Sequence, residues 1–402
     1  MTVAPAARKG ARSAAGFIVL MGVVAMFGDM TYEGARGLVG PYLALLGASA
    51  TAVGFAAGLG EFLGYGLRLL SGWAGDRTRA YWPLVILGYA LNLVAVPGLA
   101  LVGSWQAAVG LLLLERIGKA VRSPARSTLI SFAAQEVGVG KGFAIDEALD
   151  QLGAVAGPLL TALAVWVARG EPASEQYRWA FAVLLLPVLG NLGCVWVARR
   201  RFPSPESFET RRAAEQADLG ALFRWYVLAV MLTGLGFADW ALIAYHMTER
   251  AVFELGTLPL VYAGAMAVDA LAALVFGALF DGFGVGVLAL STLLSVGFVP
   301  LLFLGSSKAE HLLGALCWAV GMGAQDSILK AAIAQLVDKA RRARAYGAFF
   351  ALFGLAWWLG STFMGWLYGR SLMGLVAFSM ATQLLAIPIF LVVGRRLKRA
   401  PA

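Results

Sequence analysis

The sequence predicts an all-α membrane protein with twelve transmembrane helices arranged as two six-helix lobes. Three features predict it: the composition, the series of long apolar runs, and a repeat that relates the two halves. Of 402 residues, 60% are hydrophobic and 14% are charged, and the mean hydropathy is +0.77. Soluble domains average roughly 45–50% apolar and about 25% charged residues. The composition therefore excludes an ordinary cytosolic enzyme, a disordered chain and a disulfide-rich secreted domain.

The apolar runs give the number of spans. A bilayer core about 30 Å thick is crossed by roughly 20 apolar residues in a helix, so a chain of this length has room for about twelve helices with their loops. The expected spans are 17–46, 52–74, 83–102, 105–133, 142–168, 179–197, 223–248, 258–280, 286–304, 312–337, 346–368 and 373–393. A polar stretch with turn residues separates the two series. We therefore expect a first lobe over 1–198, a linker over 199–220 and a second lobe over 221–402.

Basic residues predict the topology. Most of them lie in alternate connections, and the opposite connections hold only Arg169, Arg178, Arg250, Lys308 and Arg370. Short loops rich in Lys and Arg stay in the cytoplasm. We therefore expect a multi-pass protein of a bacterial or archaeal plasma membrane with both termini in the cytoplasm. This distribution explains the net charge of +9 without a nucleic-acid partner.

Short matches relate the two halves of the chain. FGDMTYE contains Asp29 and FADWALI contains Asp239, while Gly72-Trp-Ala-Gly-Asp76 corresponds to Gly277-Ala-Leu-Phe-Asp281. The matches keep the same order and nearly the same offset. Duplicated lobes of this kind are typical of transporters with a binding site near the bilayer midplane.

Two motifs carry a resemblance to a known family. The sequence Gly72-Trp-Ala-Gly-Asp76-Arg77-Thr-Arg79 resembles G-x-x-x-D-R-x-G-R-K, with Arg79 in place of the second Gly. Leu112-x-x-x-Arg116-x-x-Lys119 resembles L-x-x-x-R-x-x-Q-G. These motifs are similar to those of the major facilitator superfamily, over essentially the full chain. The resemblance implies secondary transport by rocker-switch alternating access. It also implies that Asp76 lies at the start of helix 11, near Ala345, as part of a gate.

The fifth span carries a third motif of the same family. Ala144, Gly153, Gly157 and Pro158 resemble the antiporter pattern G-x8-G-x3-G-P, with Ala in place of the first Gly. We predict that the close packing of these small residues limits leakage. Ordinary packing of small residues is the alternative. Within the family, ERIGKAVRSPARSTLIS followed by AIDEALDQLGAVAGP resembles a prokaryotic branch of efflux proteins.

Ionisable residues in the first span are the candidates for ion coupling. Asp29, Glu33 and Arg36 are spaced i, i+4 and i+7, which places them on one helical face. Each costs at least about 2.5–3.5 kcal/mol in hydrocarbon, so such residues usually face a partner or water. We predict that Asp29 and Glu33 carry protons and that Arg116 takes part in this proton coupling. The alternative is a fixed ion pair with Arg36 or with basic residues of helix 4.

Helix 4 carries a basic stripe of Arg116, Lys119, Arg122 and Arg126. Arginine matches carboxylate and phosphate groups, so the stripe is suited to an anionic substrate or to adjusting a neighbouring carboxylate. For Arg122 and Arg126 the alternative is charge balance with Asp146 and Asp150.

The remaining site predictions concern substrate and gates. The candidate substrate-binding residues are Arg36, Lys119, Asp239 and Trp240. The candidate gating residues are Gly72, Asp76, Arg77 and Asp281. For aromatic residues such as Trp240, a place in the core or against lipid is the alternative.

We expect neither catalytic residues, nor a metal, nor a cofactor. The two histidines and two cysteines show no zinc spacing, and no P-loop occurs. The function we expect is proton-coupled export of a small organic molecule, by a monomer that interacts with the lipid bilayer, its substrate and protons. Uptake or exchange of a small organic anion is one alternative. A non-transporting membrane receptor or a lipid-modifying enzyme is another.

Overall fold

A computed structural model describes residues 5–203, 220–336 and 342–399, and every regular element in these ranges is a helix. Helices suit an apolar chain in hydrocarbon because they satisfy their backbone groups internally. Most of the expected linker, residues 204–219, lies outside the described residues. The expectation that the molecule is an all-α membrane protein is confirmed.

Fifteen α-helices are described, and we number them in chain order. They are α1 (Pro5–Leu45), α2 (Ala50–Thr78), α3 (Tyr81–Gly98), α4 (Trp105–Val137), α5 (Val139–Val167), α6 (Ala173–Ala182), α7 (Leu185–Arg201), α8 (Ala221–Gly236), α9 (Trp240–Glu249), α10 (Leu258–Phe283), α11 (Val287–Ser295), α12 (Phe298–Phe303), α13 (Lys308–Leu336), α14 (Arg342–Tyr368) and α15 (Leu372–Arg399).

Nine helical segments in the described ranges are long and apolar enough to cross a membrane. Helices α2 and α4 are not among them because both carry several charged residues within their length. One of the nine, Leu258–Phe303, has 46 residues, which is enough for two crossings. The total of twelve spans therefore stays a prediction.

Three of the expected spans are interrupted within their length, although Ala173–Arg201 and Ala221–Glu249 each remain one candidate membrane span. The run 179–197 is divided between α6 and α7, the run 223–248 between α8 and α9, and the run 286–304 between α11 and α12. The breaks at 183–184 and 296–297 lie in uncharged sequence, where hydropathy gives no sign of an interruption. The break at 237–239 contains Asp239.

The described residues fall into two compact units. Unit 1 comprises those of Met1–Ala35 and Leu67–Arg212, and unit 2 those of Arg36–Gly66 and Ala213–Ala402. The last ten residues of α1 and the first half of α2 thus belong with the C-terminal half of the chain. The expected lobes over 1–198 and 221–402 were predicted from a sequence repeat. They remain a prediction, because the two units are defined by packing and not by the repeat.

The core of unit 1 is built around aromatic residues near the chain's first helix. Phe17 packs edge-on against Trp82 and Phe202, with ring centroids 6.3 and 5.1 Å apart. The indole Nε1 of Trp82 donates to the carbonyl of Phe202 at 3.2 Å. This hydrogen bond satisfies the polar end of a buried indole and connects α3 with the end of α7.

The core of unit 2 centres on Phe237, which is fully buried. Its ring packs against those of Phe298, Trp318 and Trp357 at centroid distances of 5.0, 6.0 and 5.6 Å. Aromatic pairs at such distances add about 0.5–1.5 kcal/mol beyond the area they bury. The break between α8 and α9 is therefore held in a rigid aromatic setting.

In unit 1, α5 packs on α1 through glycine. A Cβ added to Gly153 would lie 2.9 Å from the Met26 carbonyl carbon, and one added to Gly157 would lie 2.8 Å from the Gly34 amide nitrogen. The hydroxyl of Thr161 donates to the Gly34 carbonyl at 3.1 Å. Pro158 lies within α5 beside these contacts. Any larger side chain at Gly157 would separate the two helix backbones.

We expect Gly157→Ala to lower the free energy of unfolding by about 1–3 kcal/mol, because overpacking against a backbone cannot be relieved by a rotamer change. Thermal unfolding of the purified protein in detergent measures this. Gly193→Ala is the matched control, since a Cβ at Gly193 in α7 has no neighbour within 4 Å. Equal stability of the two variants would show that the α1–α5 contact tolerates a methyl group.

Helix α2 ends in an unusual backbone conformation. Arg79 has a φ of +53°, and its N–H donates to the Gly75 carbonyl at 2.7 Å. This is the left-handed cap that usually takes glycine, because a Cβ there meets the following carbonyl. Arg79 is also the position at which the family motif has Gly.

We expect Arg79→Gly to raise the free energy of unfolding by about 1 kcal/mol, because it removes this steric cost. Arg79→Ala removes the same charge but keeps the Cβ, so it should give no comparable gain. Thermal unfolding in detergent compares the two variants. If both shift the midpoint equally, charge rather than backbone conformation is responsible.

Candidate functional site

The break between α8 and α9 places an acidic side chain in the interior of unit 2. The backbone of Asp239 is extended, and its Oδ1 accepts a hydrogen bond from the Ala241 N–H at 2.9 Å, capping α9. Backbone carbonyls at the break accept hydrogen bonds from side chains that are distant in the sequence. Trp318 Nε1 donates to the Ala238 carbonyl at 2.9 Å, and Gln383 Nε2 donates to the Gly236 carbonyl at 3.1 Å. These bonds make a helix interruption stable in an apolar interior.

Arg36 lies between two carboxylates. Its Nη2 is 3.5 Å from Asp239 Oδ2 and 3.6 Å from Glu61 Oε1. The side chains of Arg36, Glu61 and Asp239 are only 11%, 12% and 4% exposed. We call these three residues the Arg36 network. All three belong to unit 2, and they connect the C-terminal end of α1 and the first half of α2 with the N-terminus of α9.

Removing any one member would leave the charge of a remaining member uncompensated. Breaking a buried pair by removing one partner typically costs about 3–5 kcal/mol, because an uncompensated charge remains. The network is therefore a stable arrangement that can separate only when other groups, water, a ligand or a proton replace the lost partner.

Trp240 follows Asp239 directly and is fully buried. Its ring packs against Tyr262 and Trp318 at centroid distances of 4.8 and 5.1 Å. The structure thus places this predicted substrate-binding residue in the aromatic core, beside the carboxylate of the Arg36 network.

Two cations of helix 4 share one aromatic ring in unit 1. The Arg116 guanidinium carbon lies 4.6 Å from the Tyr32 ring centroid, and Lys119 Nζ lies 4.0 Å from it. We call this arrangement the Tyr32 cation pair. Arg116 also pairs with Glu115 at 3.4 Å, and Glu115 accepts a hydrogen bond from Asn92 Nδ2 at 2.7 Å. Helix 4 therefore presents positive charge toward α1.

The predicted proton carriers have different surroundings. Glu33 is buried, and Asp29 is half-buried. Asp29 acts electrostatically on Asp150 and on Arg126. Arg126 forms a direct ion pair with Asp146. We call Asp29, Arg126, Asp146 and Asp150 the acidic cluster of unit 1.

The described structure places Arg122 on an aromatic ring, and not in the ion pair with Asp146 or Asp150 that we considered for it. It is 4% exposed, and its guanidinium carbon lies 4.3 Å from the Tyr89 ring centroid. Its Nε and Nη2 have no hydrogen-bond partner among the described residues. Arg126, in contrast, pairs with Asp146 as that alternative required. The i, i+4 spacing on helix 4 does not distinguish these two environments.

The gate candidates lie near helix ends. Gly72 in α2 approaches Pro124 of α4, to which an added Cβ would be 3.6 Å away. Asp76, Arg77 and Asp281 are exposed, and the Arg77 guanidinium carbon lies 5.4 Å from the Trp73 ring centroid. Asp76 near the end of α2 and Asp281 near the end of α10 are thus both accessible at the surface.

Three residues that complete these sites were not among the predicted site residues. Glu61 supplies the second carboxylate of the Arg36 network, Glu115 pairs with Arg116, and Tyr32 lies under both cations. Glu61 had a detectable signal, because an acid within an apolar run is costly. Nothing in the local sequence distinguishes Tyr32 from a lipid-facing aromatic residue.

No group of three or more His, Cys, Asp or Glu side chains in the described ranges is arranged to hold a metal ion. The sites consist of carboxylates, guanidinium groups, one ammonium group and aromatic rings. Such groups can bind ions and organic solutes and can exchange protons.

Comparisons with known proteins agree with this arrangement. The family model described as Major Facilitator Superfamily matches residues 18–267, which is more than half of the chain. An uncharacterized protein of Mycobacterium tuberculosis is 40% identical over 388 residues, covering 95% of this chain and 93% of that protein. An uncharacterized MFS-type transporter of Methanocaldococcus jannaschii is 30% identical over 175 residues, covering 44% of this chain and 42% of that protein.

A solved structure shows the same fold. The crystal structure of a bacterial homologue of the human lysosomal transporter Spinster, in an inward-facing and unoccupied conformation, has a TM-score of 0.74 at 14% identity. The match covers 97% of this chain and 99% of that one. Together with the match to the family model, these findings show that the chain belongs to the major facilitator superfamily and is a multi-pass membrane transporter rather than an enzyme.

Proposed function

We propose that the protein exports a small organic molecule by proton-coupled antiport, with two six-helix lobes that give alternating access. The Arg36 network is the observation that carries this proposal. It is a buried set of charges that joins parts of the two predicted lobes through side chains alone. An arrangement of this kind is suited to form in one state of a transport cycle and to separate in another.

The segment 36–66 supports an outer gate. By the predicted topology, it contains the outer halves of the first two spans. It packs closely on the second half of the chain: a Cβ added to Gly58 would lie 2.8 Å from the Trp358 Cα, and Phe62 stacks on Trp358 with centroids 5.6 Å apart. Outward opening requires these contacts and the Arg36 network to separate. Since Arg36 and Asp239 pair with each other, a substrate that binds them competes with the closed gate.

The acidic cluster of unit 1 supports proton coupling. Asp29 interacts electrostatically with Asp146, Asp150 and Arg126, and Arg126 interacts with both Asp146 and Asp150. Carboxylates that share a desolvated site disfavour simultaneous ionisation. Binding and release of a proton at Asp29, with Glu33 and Arg116 on the neighbouring turns and helix, would alter this balance during the cycle.

Further residues are assigned to the predicted cytoplasmic gate and to the contact between α5 and α1. Gly72, Asp76, Arg77 and Asp281 form the predicted cytoplasmic gate, and their position near helix ends supports a role in closure. Gly153, Gly157 and Pro158 give α5 a close contact with α1, which supports a role in limiting leakage. We place the protein as a monomer in a bacterial or archaeal plasma membrane, with both termini in the cytoplasm.

The Tyr32 cation pair favours a second candidate, uptake or exchange of a small organic anion. Arg116 and Lys119 lie over the same ring, and two like charges at such proximity are stabilised by an anion between them. Arg36 is the third basic residue that the sequence predicts for this alternative. Flux of anionic solutes that does not respond to a pH gradient would favour it over export.

Transport in proteoliposomes tests the proposal. Purified protein is reconstituted, a pH gradient is imposed, and a panel of cationic, neutral and anionic solutes is followed. We expect the gradient to drive at least one solute against its concentration difference. Asp29→Asn should keep downhill flux of that solute but make it equal with and without the gradient, because the variant cannot exchange a proton at this position.

Glu175→Gln is the matched control, because the Glu175 side chain is exposed and pairs only with Arg178 on the same helix among the described residues. It should behave like the unmodified protein. Solute flux that ignores the gradient in the unmodified protein would contradict proton coupling. A complete lack of flux for every solute would contradict transport of small organic molecules.

A further inference from the structure

A cavity of about 530 Å³ lies in unit 2, away from the residues of the Arg36 network. Its lining includes four nitrogen-bearing side chains: His246, Arg250, Lys308 and His311. No carboxylate is among the described residues that line it. The volume falls in the range of small-molecule sites, about 300–1,000 Å³. We call it the histidine pocket.

The floor of the histidine pocket is built from buried rings. His246 and His311 are each 2% exposed, and their ring centroids are 6.2 Å apart with an interplanar angle of 18°. His246 Nδ1 forms a hydrogen bond with the Tyr368 hydroxyl at 3.0 Å. Phe303 packs on the His246 ring at a centroid distance of 5.1 Å. The two histidines are thus held in fixed orientations.

One atom of this floor has an unmet requirement. His311 Nδ1 donates to the Ser307 carbonyl at 2.8 Å. A carbonyl oxygen only accepts, so in the neutral ring Nε2 carries the lone pair. Nε2 is buried and has no hydrogen-bond partner among the described residues. A buried acceptor without a donor is costly, typically about 1–3 kcal/mol. A ligand hydroxyl that displaces the neighbouring side chains and reaches Nε2 would satisfy it.

The mouth of the pocket is positively charged. Arg250 and Lys308 line it and are both exposed. The nearby carboxylate of Glu310 accepts hydrogen bonds from the backbone N–H groups of Ser306 and Ser307 at 2.7 and 2.8 Å, so it is already engaged at the start of α13. Arg and Lys both bind phosphate and carboxylate groups. Two histidines without a carboxylate or thiolate are a poor metal site.

We propose that the histidine pocket binds a hydroxylated organic anion, such as a polyol phosphate. The acid group of the ligand pairs with Arg250 and Lys308 at the mouth, and a ligand hydroxyl donates to His311 Nε2 on the floor. By the predicted topology, Arg250 and Lys308 lie on the outer side of the membrane. The ligand is therefore either a free solute on that side or the headgroup of a lipid of the outer leaflet. This site is independent of the proposed transport function.

Calorimetric titration of the full chain in neutral detergent tests the site. The probes are glycerol 3-phosphate and n-propyl phosphate, which has similar size and charge but no hydroxyl groups. We expect glycerol 3-phosphate to bind about tenfold more tightly. The double variant Arg250→Gln/Lys308→Gln should weaken both probes by about tenfold or more. His311→Asn keeps a donor near the position of Nδ1 and removes Nε2, so it should abolish only the difference between the probes.

Arg370→Gln is the matched control, because Arg370 is an exposed cation of the same predicted face that lies over Trp366 instead of lining the pocket. It should bind both probes like the unmodified protein, and thermal unfolding shows that each variant is folded. A second experiment tests whether the ligand is a lipid headgroup. The protein is reconstituted with phosphatidylglycerol or phosphatidylcholine, and native mass spectrometry measures which lipid it retains. Retention of phosphatidylglycerol alone, lost in the double variant, identifies a headgroup as the source. If neither probe nor phosphatidylglycerol binds, or if the double variant binds them normally, the proposal is wrong.

Discussion

The buried positive charge of Arg36 is the constraint on which the site depends. A guanidinium group in an apolar interior requires carboxylates close by, and here Glu61 and Asp239 supply them. Asp239 can reach Arg36 because the chain is not helical from Phe237 to Asp239. That break, in turn, depends on Trp318 and Gln383, which donate hydrogen bonds to the buried carbonyls of Ala238 and Gly236. The charge, the interruption and the aromatic core are therefore one connected arrangement.

Charge is distributed unequally between the two halves of the chain. The first five helices carry the acidic cluster of unit 1 and the Tyr32 cation pair, whereas the second half contributes Asp239 to the Arg36 network. The duplicated motifs at Asp29 and Asp239 illustrate the difference. Asp29 lies within the continuous helix α1, while Asp239 caps α9. The two related segments therefore differ: one belongs to the cluster that we propose for proton exchange, and the other forms a hydrogen-bonded helix break.

The helical fold and the family were predictable because apolar runs and the Gly72–Arg79 motif are local signals. The break at Phe237–Asp239 was not, because its hydrogen bonds come from residues about 80 and 147 positions away. Arg36 and Asp239 were both named as site residues, but their mutual pairing was not predicted. The contrast between Arg122 over Tyr89 and Arg126 with Asp146 was equally inaccessible, since both positions share one basic stripe.

In the proposed transport cycle, segment 36–66 must separate from the second half of the chain. A Cβ at Gly37 would lie 3.3 Å from the Tyr262 Cβ, close to the disulfide range of about 3.5–4.5 Å. With Cys194 and Cys317 replaced by Ser, oxidation of the pair Gly37→Cys/Tyr262→Cys should stop flux in proteoliposomes, and reduction should restore it. The pair Gly277→Cys/Ser327→Cys, 4.0 Å apart at Cβ within the second half, should crosslink without loss of flux. Full transport by the crosslinked Gly37–Tyr262 variant would contradict the account.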